Sequence, residues 1–185
     1  MRFTVRNPIK PSWRWIALFG LTLACVVVVT SAAQAELRVD ITRGNVEPLP
    51  IAIPDFYGAS EREAQSGRNI AQVVTEDLRR SGLFRPIDKN AFLTKLGGIS
   101  AQSLQLQPRF ADWRLINAQA LVVGGTQILA QGDIQVVFRL WDVFAQQQMI
   151  GLRLTTTPSN WRQIAHRIAD AIYHRITGEE GYFDT

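Results

Sequence analysis

The sequence predicts an α/β fold: a two-layer sandwich in which a mixed sheet carries two long helices on one face. Three observations lead there. Strand-type alternation of apolar and polar residues occurs at Glu36–Thr42 and recurs between residues 120 and 156. Two long stretches, from Ser60 to Gly82 and from Ser159 to Gly178, space their apolar residues at the helical period. The order is strand, strand, helix, short strand, short helix, three-strand meander, helix. Both helical stripes are buried most simply on one face of one sheet, which leaves the opposite face or the edges for contacts.

Ahead of the first strand stands a segment of a different kind. Arg2, Arg6, Lys10 and Arg14 precede an apolar run from Ile16 to about Ala33, which closes on Ala33-Gln34-Ala35. A basic start, an apolar centre and a small-x-small end form a secretory signal, cut after Ala35. Residues 1–35 are therefore set apart from the fold, and the working protein is expected outside the cytoplasm, without membrane insertion after cleavage. An uncleaved anchor is the alternative, because the run approaches the ~20 residues that a span requires.

The cut changes the charge. The chain of 185 residues carries 20 Lys and Arg, 16 Asp and Glu and a formal charge of +4. The four basic residues of the signal account for all of it, so residues 36–185 are neutral and no nucleic-acid partner is expected. Cys25 is the one cysteine and leaves with the signal. Residues 36–185 then fold without a disulfide or a cysteine metal site, as one compact domain with its own core.

Each element has its signals. In the first strand Leu37, Val39 and Ile41 point one way, and Glu36, Arg38, Asp40 and Thr42 the other. Residues 46–54 hold Pro48, Pro50 and Pro54 among apolar residues, which predicts an extended or edge segment. Ser60 and Glu63 form a capping box, and Ile70, Val73, Val74 and Leu78 make the stripe of the helix that follows. Arg79 and Arg80 suit its last turn, and Gly82 stops it. Leu83–Ile87 is a short strand, and 88–108 is irregular. Arg109–Asn117 is a short helix with Phe110, Trp113 and Leu115 or Ile116 inward. Ala120–Leu129, Ile134–Val143 and Met149–Thr156 form the meander, turning first at Gly132-Asp133. The last helix opens at Ser159, buries Trp161, Ile164, Ala165, Ile168, Ile172 and Ile176, and ends at Gly178.

Catalytic and metal-binding patterns are not evident. His166 and His174 stand about 12 Å apart along one helix and cannot share a metal, so solvated surface histidines are expected. Ser60 reads as a cap and not a nucleophile. Glu76-Asp77 and Glu179-Glu180 read as solvated pairs. Gly124-Gly125 follows a strand without the rest of a phosphate loop. Trp113, Trp141 and Trp161 fit core positions. No enzyme activity and no cofactor or metal is expected.

Several segments resemble the TolB family of the Tol–Pal system. They are Glu36-Leu37-Arg38-Val39-Asp40-Ile41, residues 50–56 (PIAIPDF), 77–84 (DLRRSGLF), 120–125 (ALVVGG) and the closing 177–185 (TGEEGYFDT). The resemblance implies an N-terminal α/β domain over residues 45–178, preceded by a partner-binding segment, 36–44. Residues 179–185 would start a linker to a β-propeller that this chain does not carry. The propeller implies a Pal-type lipoprotein partner, which is expected only where it is present. The contact implied here is with a TolA-type inner-membrane protein, through Glu36, Leu37, Arg38, Val39, Asp40, Ile41, Thr42 and Arg43.

A terminal alternating strand can also add to a partner's sheet edge. The alternative is that Leu37, Val39 and Ile41 pack as this domain's own edge strand. The resemblance implies a periplasmic adaptor supporting outer-membrane integrity and invagination at division. A periplasmic activator of a cell-wall synthase, which some domains of this type are, is the alternative function; a hydrolase with an unrecognised site is a third.

Overall fold

The computed structural model describes residues 47–93 and 107–184. The expected signal, the strand expected at Glu36–Thr42, the expected contact residues Glu36–Arg43 and most of the irregular stretch lie outside the described residues.

The strands are β1 (Leu49–Ala52), β2 (Tyr57–Gly58), β3 (Phe84–Pro86), β4 (Ala120–Ile128), β5 (Ile134–Asp142) and β6 (Gln147–Thr156). The helices are α1 (Glu61–Arg80), the short α2 (Phe110–Leu115) and α3 (Trp161–Thr177). The sheet order is β3-β1-β4-β5-β6, with β2 also beside β4. Strand β1 pairs in parallel with β3 and β4, and β2 pairs in parallel with β4, while β4, β5 and β6 form an antiparallel meander. The sheet is mixed, and α1 and α3 pack side by side over one of its faces.

Several details differ from the sequence reading: β2 has no counterpart in it, and β6 begins at Gln147 and not at Met149. The proline-bearing segment is extended, but β1 is interior, between β3 and β4. It tolerates Pro50 because that residue uses only its carbonyl, which accepts from Gln119 N–H at 2.9 Å. The donor that proline lacks would point to where β4 has not yet begun. The last α-helix begins at Trp161 and not at Ser159, because Pro158–Asn160 form a 3-10 turn ahead of it.

The helix-side core contains most of the stripes expected from the sequence, while Val73 and Trp161 are only partly buried. Ile70, Val74 and Leu78 of α1 and Ile164, Ile168, Ile172 and Ile176 of α3 meet Val122, Val136, Phe138 and Leu140 of the sheet. Each fully buried Leu or Ile contributes roughly 1.5–3 kcal/mol. Gly178 closes α3 in the left-handed conformation, φ 82°, where its N–H reaches His174 O at 2.8 Å.

The opposite face is partly covered. Phe92 and the short helix α2, through Phe110 and Trp113, pack on Leu121, Val123, Trp141 and Val143. Edge-to-face ring pairs fix this patch: Phe92–Trp113 at 5.2 Å and Phe110–Trp141 at 5.7 Å between centroids. Ile116 turns inward and Leu115 outward, which settles the choice left open by the sequence.

Between β1 and β2 the chain leaves the sheet and Phe56 enters the core. Its ring lies on Gly124, where a Cβ would stand 2.5 Å from Phe56 Cδ2. On the other side, a Cβ on Gly67 of α1 would stand 2.3 Å from Phe56 O. Two glycines thus let the helix, this segment and the sheet approach more closely than any side chain allows. Gly124-Gly125 lies within β4 and serves packing, not a phosphate loop.

Candidate functional site

The capping box at the start of α1 does more than begin a helix. Ser60 N–H donates to Glu63 Oε2 at 2.9 Å, and Glu63 N–H donates to Ser60 Oγ at 3.3 Å. Glu63 also accepts from Ile128 N–H through Oε1 at 2.8 Å, and Thr126 Oγ1 donates to Glu63 O at 2.7 Å. Helix and sheet are therefore pinned where α1 starts and β4 ends. The Ile128 N–H holds the Glu63 carboxyl below its ordinary value; burial opposes this, and the Ser60 donors add to it.

A second polar cluster lies between the two long helices. Asp77 sits on the apolar stripe of α1 and is fully buried. His166 Nδ1–H of α3 donates to its Oδ2 at 2.6 Å, and Arg80 pairs with its Oδ1. The sequence reading placed Asp77 and His166 in solvent; the structure corrects both. Asp77 stands one turn from Val73 and Val74, so helical spacing points it at α3, and the ion contacts offset its desolvation. His174 does stay outside the core, with Nδ1 3.1 Å from Glu179 O.

Above this pair opens a groove of about 520 Å³ between α1 and α3. Val73 and Trp161 line it together with Glu76, Arg80, Arg162 and His166. The Arg162 guanidinium stands 4.8 Å from the centroid of the Trp161 ring. An imidazole oriented by a carboxylate can serve as a base, but no Ser, Thr or Cys lines the groove to receive its action. Among the described residues, no three His, Cys, Asp or Glu side chains gather as a metal site, and no helix is long and apolar enough to cross a membrane.

Trp113 and Trp141 are core residues, as expected, and Trp161 is half-buried beside the groove. The expected contact residues Glu36–Arg43 lie outside the described residues.

The model of the TolB amino-terminal domain matches residues 37–149. The chain belongs to the TolB amino-terminal domain family. A TolB-family relative, the Tol-Pal system protein TolB of Paramagnetospirillum magneticum, is 52% identical over 172 residues. That similarity covers 93% of this chain and 37% of the relative. The crystal structure of TolB from Acinetobacter baumannii superposes with a TM-score of 0.59 at 29% identity, covering 80% of this chain and 33% of that one. This chain thus spans about a third of the length of the TolB proteins it resembles. The C-terminal domain of LpoB from Salmonella enterica aligns at a TM-score of 0.40 and 15% identity, over 62% of this chain and 86% of that one, too distant to bear on function.

Proposed function

We propose that this domain is the adaptor module of a Tol–Pal system, working in the periplasm by protein–protein contact and without chemistry. Its role is to support outer-membrane integrity and the inward movement of the envelope at division. The observation that carries the reading is the 52% identity to a Tol-Pal system protein across 93% of this chain.

The contact with a TolA-type inner-membrane protein is assigned to Glu36–Arg43, released as a free terminus when the signal is cut after Ala35. The alternation of Leu37, Val39 and Ile41 with polar residues suits strand addition to a partner's sheet. Residues 45–178 form the domain that carries the segment, and 179–185 lead away from it. A Pal-type lipoprotein is a partner of the propeller and not of these residues.

The test is a pull-down of residues 36–185 against the periplasmic domain of a TolA-type protein, beside a second protein starting at Gly44. Binding by the longer and not the shorter supports the assignment. Equal binding moves the site off Glu36–Arg43, and binding by neither rejects the adaptor reading of this domain.

A further inference from the structure

The two edges of the sheet are unlike. On one side β3 has three residues and ends in Pro86, so that edge is short and blunted. On the other, β6 runs ten residues, Gln147–Thr156, and its only sheet partner among the described residues is β5. It contains no proline, lysine or acid, and Arg153 is its one charge. A long, nearly uncharged edge of this kind is a template for another strand.

The two faces beside that edge differ in chemistry. Toward the helices stand Ile150, Leu152 and Leu154, opposite Leu140, Phe138 and Val136. Ile150 and Leu154 pack on the core. Leu152 is 42% exposed although its partner Phe138 is fully buried. Away from the helices stand two arginines. Arg153 is opposite Val137, and Arg139 is opposite Gly151, over which only the uncharged amide of Gln148 lies. Neither has a carboxylate partner among the described residues.

We propose that the free edge of β6 docks an extended strand of a partner protein in which apolar and acidic residues alternate. The backbone of β6 beyond Met149 supplies the ladder, since Met149 O already accepts from Arg175 Nε at 3.1 Å. The period of two places the partner's apolar side chains beside Leu152 and its acids beside Arg153 and Arg139. This site is separate from Glu36–Arg43 and does not depend on the Tol–Pal reading.

The test uses the full chain and two synthetic eight-residue peptides, one of alternating Val and Glu and one of alternating Val and Lys. Affinity is read by calorimetry and the site by amide hydrogen exchange. The acidic peptide should bind on the order of tenfold tighter than the basic one. Exchange should slow within Gln147–Thr156. Arg139→Glu combined with Arg153→Glu should reverse the preference, which also shows that the variant is folded.

Equal affinity for both peptides, binding of neither, or protection confined to other elements would overturn the proposal. Binding only after removal of residues 36–43 would overturn it in favour of the chain's own segment. A dimer that the peptides dissociate, with protection of β6 before they are added, would overturn it in favour of a second copy.

Discussion

His166 Nδ1 lies 2.6 Å from Oδ2 of Asp77, a carboxylate with no exposed surface, and this contact joins the two long helices. Removing the imidazole leaves one buried oxygen without its donor, while Arg80 still holds the other. His166→Ala should therefore cost about 1–3 kcal/mol in a denaturant melt. A change below about 0.5 kcal/mol would show that water replaces the imidazole at no cost.

Gly124→Ala places a methyl group against the Phe56 ring. The expected loss is about 1–3 kcal/mol, as for other overpacked cores. Phe56→Leu in the same chain should recover part of it, because the two positions share one contact. Strict additivity in that double-mutant cycle would place the strain elsewhere.

Glu63 gives the fold an acid-sensitive link. Its carboxyl is held below the ordinary value of 4.5 by the Ile128 N–H first and the Ser60 donors next. A lowered folded pKa means that the unfolded state takes up protons first, so this contribution is full above about 4.5 and fades as pH falls through the folded value. Glu63→Gln should lower stability at neutral pH by about 1 kcal/mol, and the gap from the natural protein should close in acid. A gap that stays constant down to pH 2 would contradict this account.

In the N-terminal segment, Val39→Asp with Ile41→Asp should abolish TolA-type binding while the fold stays intact, the second being read from the melting temperature. Unchanged affinity would remove the segment from the interface.

The features legible in the sequence were those written in short-range chemistry. Ser60 and Glu63 are three residues apart and define their helix end without help from the rest of the fold. The meander was legible because Ile134, Val136, Phe138 and Leu140 alternate, and its three strands follow one another. Pro50 misled, because a proline excludes one donor at one position, and only the register of β4 shows that this donor was not needed. Asp77 was readable in part: its place on the stripe of α1 was visible, while its partner stands on the other helix, far along the chain. The partner-binding segment came from family resemblance alone, and no local signal in Glu36–Arg43 separates a docking strand from an ordinary edge.

The division of the sheet into a parallel and an antiparallel half also sets a sequence of events in time. The hairpins of β4, β5 and β6 close over short loops, and α3 follows at once. Ile51 must instead find Ala120 roughly seventy residues later, after α1 has formed. Closing that larger loop costs more chain entropy, so the carboxyl-terminal half is the expected nucleus and β1 the last strand to zip. Mutations in β5 should slow refolding, whereas those in β1 should mainly hasten unfolding. Strand β1, which follows the segment proposed for partner contact, is then also the strand that this domain secures last and gives up first.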